Sequence, residues 1–371
     1  MSGVDAAEGI AARLARLGAR LVELKLDALL VDAPFDLRYI SGYTGTNGLA
    51  VLRPAGGAPP AFLTDFRYTA QAAAEVPAEF EHATVTGELR DSLPAVLGEN
   101  GGRVGFDETK LTVHGHRRLS ELLVPPWELV PANGLVEEQR VVKEPAEVAA
   151  IAAACALADE ALREVLEAGL VGRTEREVAL DLETRMRRLG AEEPSFPSIV
   201  AAAEHGALPH AQPREVEIPP DVLVTIDWGA RLQGYCSDCT RTVATGDGLS
   251  TQAREIYELV LAAQIAGLQA LRAGPNGREV DAVARGVIDA AGRGAEFGHG
   301  LGHGVGLEIH EAPRLSRTAP EQPLLAGNVV SVEPGVYVPD ELGVRIEDLA
   351  VVREGGCDVL TALPKGLTII G

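Results

Sequence analysis

Ile10, Leu14, Leu17, Leu21 and Leu24 recur at steps of three and four, which predicts an amphipathic opening helix. The run LDALLVD that follows reads as a buried strand closed at Pro34. YISGYTGTNGLAVLRP alternates turn glycines with short apolar runs, and AFLTDFRYTAQAAAEV passes from a strand into an alanine-rich helix. Weaker strands and helices continue to about Val136, so the first region is predicted to be mixed α/β. Asp65, Arg67 and Tyr68 stand beside a strand end there, where a structural ion pair or surface pair is the ordinary explanation.

The charged segment VEEQRVVKEPAE, Val136–Glu147, is the expected domain junction and opens a helix predicted over Pro145–Ala168. Thr174 and Glu177 form a capping box before a helix whose apolar positions Val178, Leu180, Leu182 and Met186 lead to Gly190. SFPSIVAAAEHGALPHAQP then holds a short strand ahead of His205 and His210. LVTIDWG at Leu223–Gly229 and GYCSD, ending at Asp238, make a strand pair that closes on acids. Helices are predicted over about Thr251–Arg272 and Arg278–Ala291, followed by HGLGHGVGLEIHE from His299 to Glu311. A second acidic strand pair, VVSVEPG at Val329–Gly335 and GVRIE ending at Glu347, completes the pattern.

These elements repeat. EVALDL at Glu177 matches EVDAVA at Glu279, and LVTIDWG matches VVSVEPG by residue type except for Trp228 against Pro334. The offsets lie between 102 and 109 residues. A duplicated helix-plus-hairpin unit packs around an approximate two-fold axis, bringing two acids from each half to one centre.

An unpaired carboxylate at the end of a β-branched apolar run costs several kcal/mol of desolvation unless a cation or donor meets it. Asp227 and Asp238 are eleven apart, and a hairpin centred near Leu232–Gln233 is expected to set them opposite each other. Directly opposed side chains hold their Cβ atoms about 4.5–5.5 Å apart, close enough for two carboxylates to repel unless one is protonated or a cation lies between. PDELG forms the loop that does the same for Glu333 and Glu347. Four converging carboxylates carry enough charge for two divalent ions, which at about 3.5–4 Å separation activate a bridging hydroxide. Glu333 is then placed to carry a proton to a leaving amine, and histidines to hydrogen-bond a developing oxyanion.

In GHGLGHGVG every second residue from Gly298 to Gly306 is glycine, which clears one strand face and puts His299 and His303 on the other. A phosphate-cradling loop is the rival reading, but no lysine accompanies it and Pro313 and Pro320 interrupt any following helix. His310 taken alone is a core histidine; beside four acids it becomes a candidate for chemistry. A serine nucleophile lacks a G-x-S-x-G turn, and Cys236 has no basic partner close in sequence. Cys236-x-x-Cys239 looks like half a zinc site, yet residues three apart on a strand face opposite ways. Cys236 shares strand parity with Asp238 and is expected near the same centre.

With 371 residues the chain exceeds one ordinary core, and two domains, 1–138 and 139–371, are expected. A hydrophobic fraction of 46% with 23% charged residues describes a globular protein, and no apolar run reaches the roughly 18 residues of a spanning helix. The opening residues lack a signal-like apolar core, so a cytoplasmic protein without membrane partners is expected. The net charge of −21 argues against nucleic acid and favours cations. Four scattered cysteines are expected to be reduced thiols.

At Asp227, Asp238, His303 of GHGVG, Glu333 of EPG and Glu347, the sequence resembles the Xaa-Pro peptidases of the creatinase/aminopeptidase P/prolidase family, relatives of methionine aminopeptidase. The resemblance spans nearly the whole chain and implies an α/β (α+β) fold. A creatinase-type mixed α/β N-terminal domain would precede a pita-bread catalytic domain with a pseudo-two-fold internal repeat. It further implies that those five residues hold two divalent metal ions, with Asp238 and Glu347 bridging. Such a shell suits Mn²⁺, with Co²⁺ or Zn²⁺ as alternatives. His210 and His310 would act with Glu333 in catalysis, while His299 and Arg345 would contact or hold the substrate. Phe196, Ile199 and Ile309 are candidates for a pocket around a proline ring, or for ordinary core packing. The implied substrate is a proline-containing peptide, and family members are commonly homodimers. SGYTGTNG and TDFRYTAQA lean toward aminopeptidase P-type proteins, which remove the residue before proline from peptides, with Xaa-Pro dipeptidase (prolidase) as the alternative. The fold also serves metal-free creatine hydrolysis and non-catalytic peptide or partner binding.

Overall fold

The strand Ala28–Val31 is buried at all four positions, as a strand covered on both faces must be, and it lies centrally in a six-stranded sheet. The computed structural model describes residues 3–370, which divide into two compact units after Arg140. In the first, the strands taken in chain order stand 4-3-2-1-5-6 across the sheet. Ala28–Val31 runs antiparallel to Leu49–Leu52 and parallel to Gly102–Phe106. The opening helix, Gly3–Leu24, buries Leu17 and Leu21. The strand Ala61–Asp65 passes through a turn into the helix Thr69–Glu75, and in that turn Arg67 donates through both backbone and guanidinium to Asp65.

The second unit is built twice over. Its helices Glu175–Leu189 and Gly277–Ala290 both open on capping boxes, Thr174 with Glu177 and Asn276 with Glu279, in which each side chain satisfies a backbone N–H that the helix cannot. One half has the antiparallel strands Ile199–Ala202, Leu223–Trp228 and Cys239–Ala244; the other has Gly302–Gly304, Val329–Val332 and Asp348–Arg353 in the same neighbour order. The halves join along a seam where the backbone N–H of Glu347 donates to Thr240 O, and Thr242 Oγ1 bonds both the carbonyl and the N–H of Arg345. The glycine stretch lets strands close: a Cβ on Gly302 or Gly304 would overlap the carbonyl oxygen of Ser331 or Ala312.

Two expectations are corrected here. The first hairpin pairs Asp227 with Thr240 and Arg231 with Cys236, so Asp238 is diagonal to Asp227 rather than opposite. Its turn is Gln233–Gly234, both at positive φ (51° and 80°), one residue later than the expected centre. That moves the pairing by two and keeps both acids on one face. In the second hairpin Val332 pairs with Asp348 and Gly335 with Arg345, a single register that sets Glu333 against Glu347.

The second correction concerns Cys236. Its sulfur faces Leu307 O and packs with Ile151, Cys155, Val305 and Val329, away from the acids. The ladder breaks after Tyr235–Cys236, where Ser237 Oγ accepts the Ala230 N–H, so strand parity does not carry through to Asp238. Cys239 packs in a different cluster and bonds Glu347 O, so the two sulfurs share no site. Cys155, Cys236, Cys239 and Cys357 are all free thiols.

Candidate active site

The acids meet at a cavity of about 650 Å³ within the second unit. Asp227, Asp238, His303, Glu333 and Glu347 line it, together with His210, His299, His310, Arg345, Phe196, Ile199 and Ile309. Every site residue expected from the sequence thus reaches one wall or another of the same space. Asp227, Asp238 and Glu347 each present a carboxylate oxygen within 4.8 Å of the others. His303 Nε2 lies 3.3 Å from Glu333 Oε1 and 3.6 Å from Asp238 Oδ2.

The surrounding hydrogen bonds satisfy only part of this cluster. Arg345 Nη2 donates to Asp227 Oδ2 at 2.7 Å and Thr240 Oγ1 to Glu347 Oε2 at 2.8 Å. Asp227 Oδ1 and Glu347 Oε1 are buried without any hydrogen-bond partner among the described residues. Burial pushes Asp238 well above the usual carboxylate range, and the charges of Glu347, Asp227 and Glu333 add to it. Burial likewise pushes Glu333 up to about 7. His303 donates through Nδ1 to Gly304 O at 3.1 Å, which leaves Nε2 as a bare lone pair pointed at carboxylates. Burial lowers this histidine to about 3, so it stays neutral. The lone pair of His303 Nε2 beside Glu333 and Asp238, with the unbonded oxygens of Asp227 and Glu347 in the same cluster, leaves the site short of hydrogen-bond donors, and a divalent cation is the group such a ligand set fits.

The same site extends behind its lining. Asp348, beside Glu347, faces the other way and accepts from Arg241, Gln264, Thr361 and Lys365, while Arg241 also donates to the Glu347 carbonyl. Arg345 is spent on the protein: besides Asp227 it bonds Thr240 Oγ1, Pro209 O and the Tyr337 hydroxyl. Tyr337 in turn lies 2.9 Å from His299 Nε2, whose Nδ1 donates to Gly300 O. His299 therefore has both ring nitrogens engaged, whereas His210 and His310 are exposed residues of the cavity wall. The His310 ring packs edge-on to His303, with centroids 4.4 Å apart.

Tyr337, Thr240 and Arg314 are site residues that the sequence reading passed over. Tyr337 shares strand parity with Glu333 and Gly335, a signal that was available; its ring folds back over Gly335, where a Cβ would collide with it. Arg314 lines the cavity four residues after His310, and among the described residues its guanidinium makes no hydrogen bond or ion pair to an acid.

Comparison with known proteins bears on the whole chain. Residues 13–142 match the Creatinase/Prolidase N-terminal domain, and residues 149–354 match Metallopeptidase family M24. The peptidase YqhT of Bacillus subtilis is 40% identical over 96% of this chain and 100% of its own length. A solved Xaa-Pro dipeptidase from Bacillus anthracis superposes with a TM-score of 0.91 at 38% identity, covering 97% of this chain and 99% of that one. An X-Pro aminopeptidase from Thermotoga maritima gives 0.87 at 33% identity, over 95% and 100% of the two chains. With a creatinase-type domain followed by a pita-bread unit whose duplicated halves gather carboxylates around a cavity, this chain is a metallopeptidase and belongs to family M24.

Proposed function

We propose that the protein is an Xaa-Pro peptidase, hydrolysing the bond between an N-terminal residue and proline. The observation that carries this reading is the cluster of Asp227, Asp238 and Glu347 oxygens within 4.8 Å, faced by His303 Nε2 and Glu333 on a cavity floor. We assign Asp227, Asp238, His303, Glu333 and Glu347 to two divalent cations, Mn²⁺ foremost and Co²⁺ or Zn²⁺ as alternatives. When bound, such cations polarise the scissile carbonyl and make water nucleophilic near neutral pH. The chain's own residues supply the rest. Glu333 takes a proton from the attacking water and returns it to the leaving proline nitrogen. His210 and His310, exposed at the wall, donate to the carbonyl oxygen as charge builds there. Tyr337 and Arg345 hold His299 and Asp227 in place. Phe196, Ile199 and Ile309 are half-buried and offer the apolar wall that a proline ring fills.

Arg314 favours one choice within the class. A guanidinium at the cavity wall with no acidic partner among the described residues matches the free carboxylate of an Xaa-Pro dipeptide. It supports a dipeptidase, whereas the sequence leans to an aminopeptidase P-type enzyme that trims longer peptides. The test compares release of the first residue from Ala-Pro and Ala-Pro-Ala by Mn²⁺-loaded protein. Cleavage of neither sinks the functional reading. Faster cleavage of Ala-Pro, with its KM raised by Arg314→Ala, identifies the dipeptidase. A homodimer belongs to the same proposal and rests on the family resemblance alone; size-exclusion chromatography checks it.

A further inference from the structure

The segment 203–214 joins the strand Ile199–Ala202 to the run that pairs with residues 172–176, and its far half, Pro209 to Pro213, forms a cavity wall bearing His210. Its own secondary structure is one short 3-10 turn at Ala203–Ala207. Both of its ends meet a single carboxylate. Glu175 Oε1 accepts from the Ala202 N–H at 3.0 Å, and Glu175 Oε2 from the Arg214 N–H at 2.9 Å. Arg214 adds Nε to Oε2 and Nη2 to Oε1, each at 3.1 Å. His205 Nδ1, which carries its hydrogen toward the carboxylate, lies 3.0 and 2.9 Å from the two oxygens.

Glu175 is 0% exposed, so water does not compete for it, and it sits in the first turn of the helix Glu175–Leu189, where the helix dipole favours a negative charge. Two further contacts hold the middle of the segment from the other side. Gly206 packs on the backbone of Gly343, and Arg345 Nη1 donates to Pro209 O at 3.2 Å. The loop is thus fixed from the strand that bears Arg345 and from one acid on a helix outside the cavity lining.

We propose that Glu175 is a positioning residue for His210: it clasps both ends of the loop 203–214 and so fixes the height at which His210 stands in the cavity. The proposal rests on the reading of His210 as a group that acts on the substrate. Misplacing a catalytic group by about 1 Å costs up to roughly 100-fold in rate, so an acid that never touches substrate still governs turnover.

The test uses the full-length, Mn²⁺-loaded protein with Glu175→Ala and with Arg214→Ala, which opens one arm of the clasp at a partly exposed residue in case the first variant does not fold. Amide hydrogen exchange should speed up across 203–214 while 223–228 stays protected. For Ala-Pro cleavage, kcat should fall at least about tenfold with Mn²⁺ affinity and KM nearly unchanged. In a His210→Ala background the same substitution should add no further loss, because the two residues act as one unit. Unchanged exchange in the loop overturns the clasp, and losses that multiply in the double variant overturn its action through His210. If wild-type protein cleaves neither Ala-Pro nor Ala-Pro-Ala, the functional reading has failed, and hydrogen exchange alone then decides whether Glu175 holds the loop.

Discussion

Arg345 Nη2 sits 2.7 Å from Asp227 Oδ2 while Asp227 Oδ1 is buried with no hydrogen-bond partner among the described residues, so one oxygen is neutralised by the protein and the other is held for something else. Glu347 is divided the same way, with Thr240 on Oε2 and none of the described residues on Oε1. Titrating Mn²⁺ into chelator-treated protein should therefore stabilise it. At one hundred times Kd, binding to the folded state alone is worth about 2.7 kcal/mol, or roughly 5–10 °C in Tm for a unit of this size. Calorimetry with and without EDTA measures this, and an unchanged Tm would count against cation binding by these oxygens.

Gly343 should be far less replaceable than its contact partner Gly206. A Cβ on Gly343 would overlap Gly206 O, backbone that has little room to move, whereas a Cβ on Gly206 would meet Gly343 N at 3.2 Å. Gly343→Ala is expected to cost about 1–3 kcal/mol, as overpacking does, with Gly206→Ala clearly milder. Thermal denaturation of both variants ranks them, and equal losses would contradict the packing described.

Ala203 holds φ at 53°, a left-handed conformation at the start of the clasped loop. For a residue with a Cβ this costs about 1–2 kcal/mol, part of which glycine recovers and part of which it loses to chain entropy. Ala203→Gly should thus be neutral to about 1 kcal/mol stabilising, against the usual trend of Ala→Gly changes. Urea titration of the variant against wild type checks the sign.

Glu175 predicts a pH dependence of stability. Burial alone would raise this carboxyl, but the donors of Arg214, Ala202 and His205 outweigh it and hold it below the ordinary value of 4.5. A depressed acid contributes stability that is complete above its unfolded pKa and is lost as pH falls through the folded one. Glu175→Gln, which does not titrate, should be less stable than wild type near neutrality, and the gap should narrow below about pH 4.5. Melting curves collected across that range test it; a gap independent of pH would mean that the charge of Glu175 plays no part.

Much of the site was legible because its residues advertise themselves chemically. Asp227, Glu333 and Glu347 end apolar strands, and a buried acid needs a reason that a surface acid does not. The repeat then told which acids belong together, since the matching runs at Leu223 and Val329 imply matching positions in space. Register was harder. The turn at Gln233–Gly234 depends on two backbone conformations, and RLQG allowed its centre to fall one residue either way. Cys236 misled because parity holds only within an unbroken ladder, and Ser237 breaks this one. Glu175 was hidden by its neighbours. Thr174 and Glu177 already explained the helix start, while the groups that Glu175 holds, Ala202, His205 and Arg214, lie 27 to 39 residues away. Separation of that kind leaves no trace in a periodic pattern.

The duplicated architecture of the second unit is unequal at Arg345 as well as at Trp228 and Pro334. Arg345 stands two residues before Glu347, and its counterpart two residues before Asp238 is Cys236. The guanidinium reaches into the cavity, while the thiol is folded into apolar packing. A perfectly two-fold site would meet a peptide and its reverse on equal terms. The Arg345–Asp227 pair has no counterpart in the other half, so the two sides of the cavity differ, and a chain whose two ends differ meets them in one preferred direction.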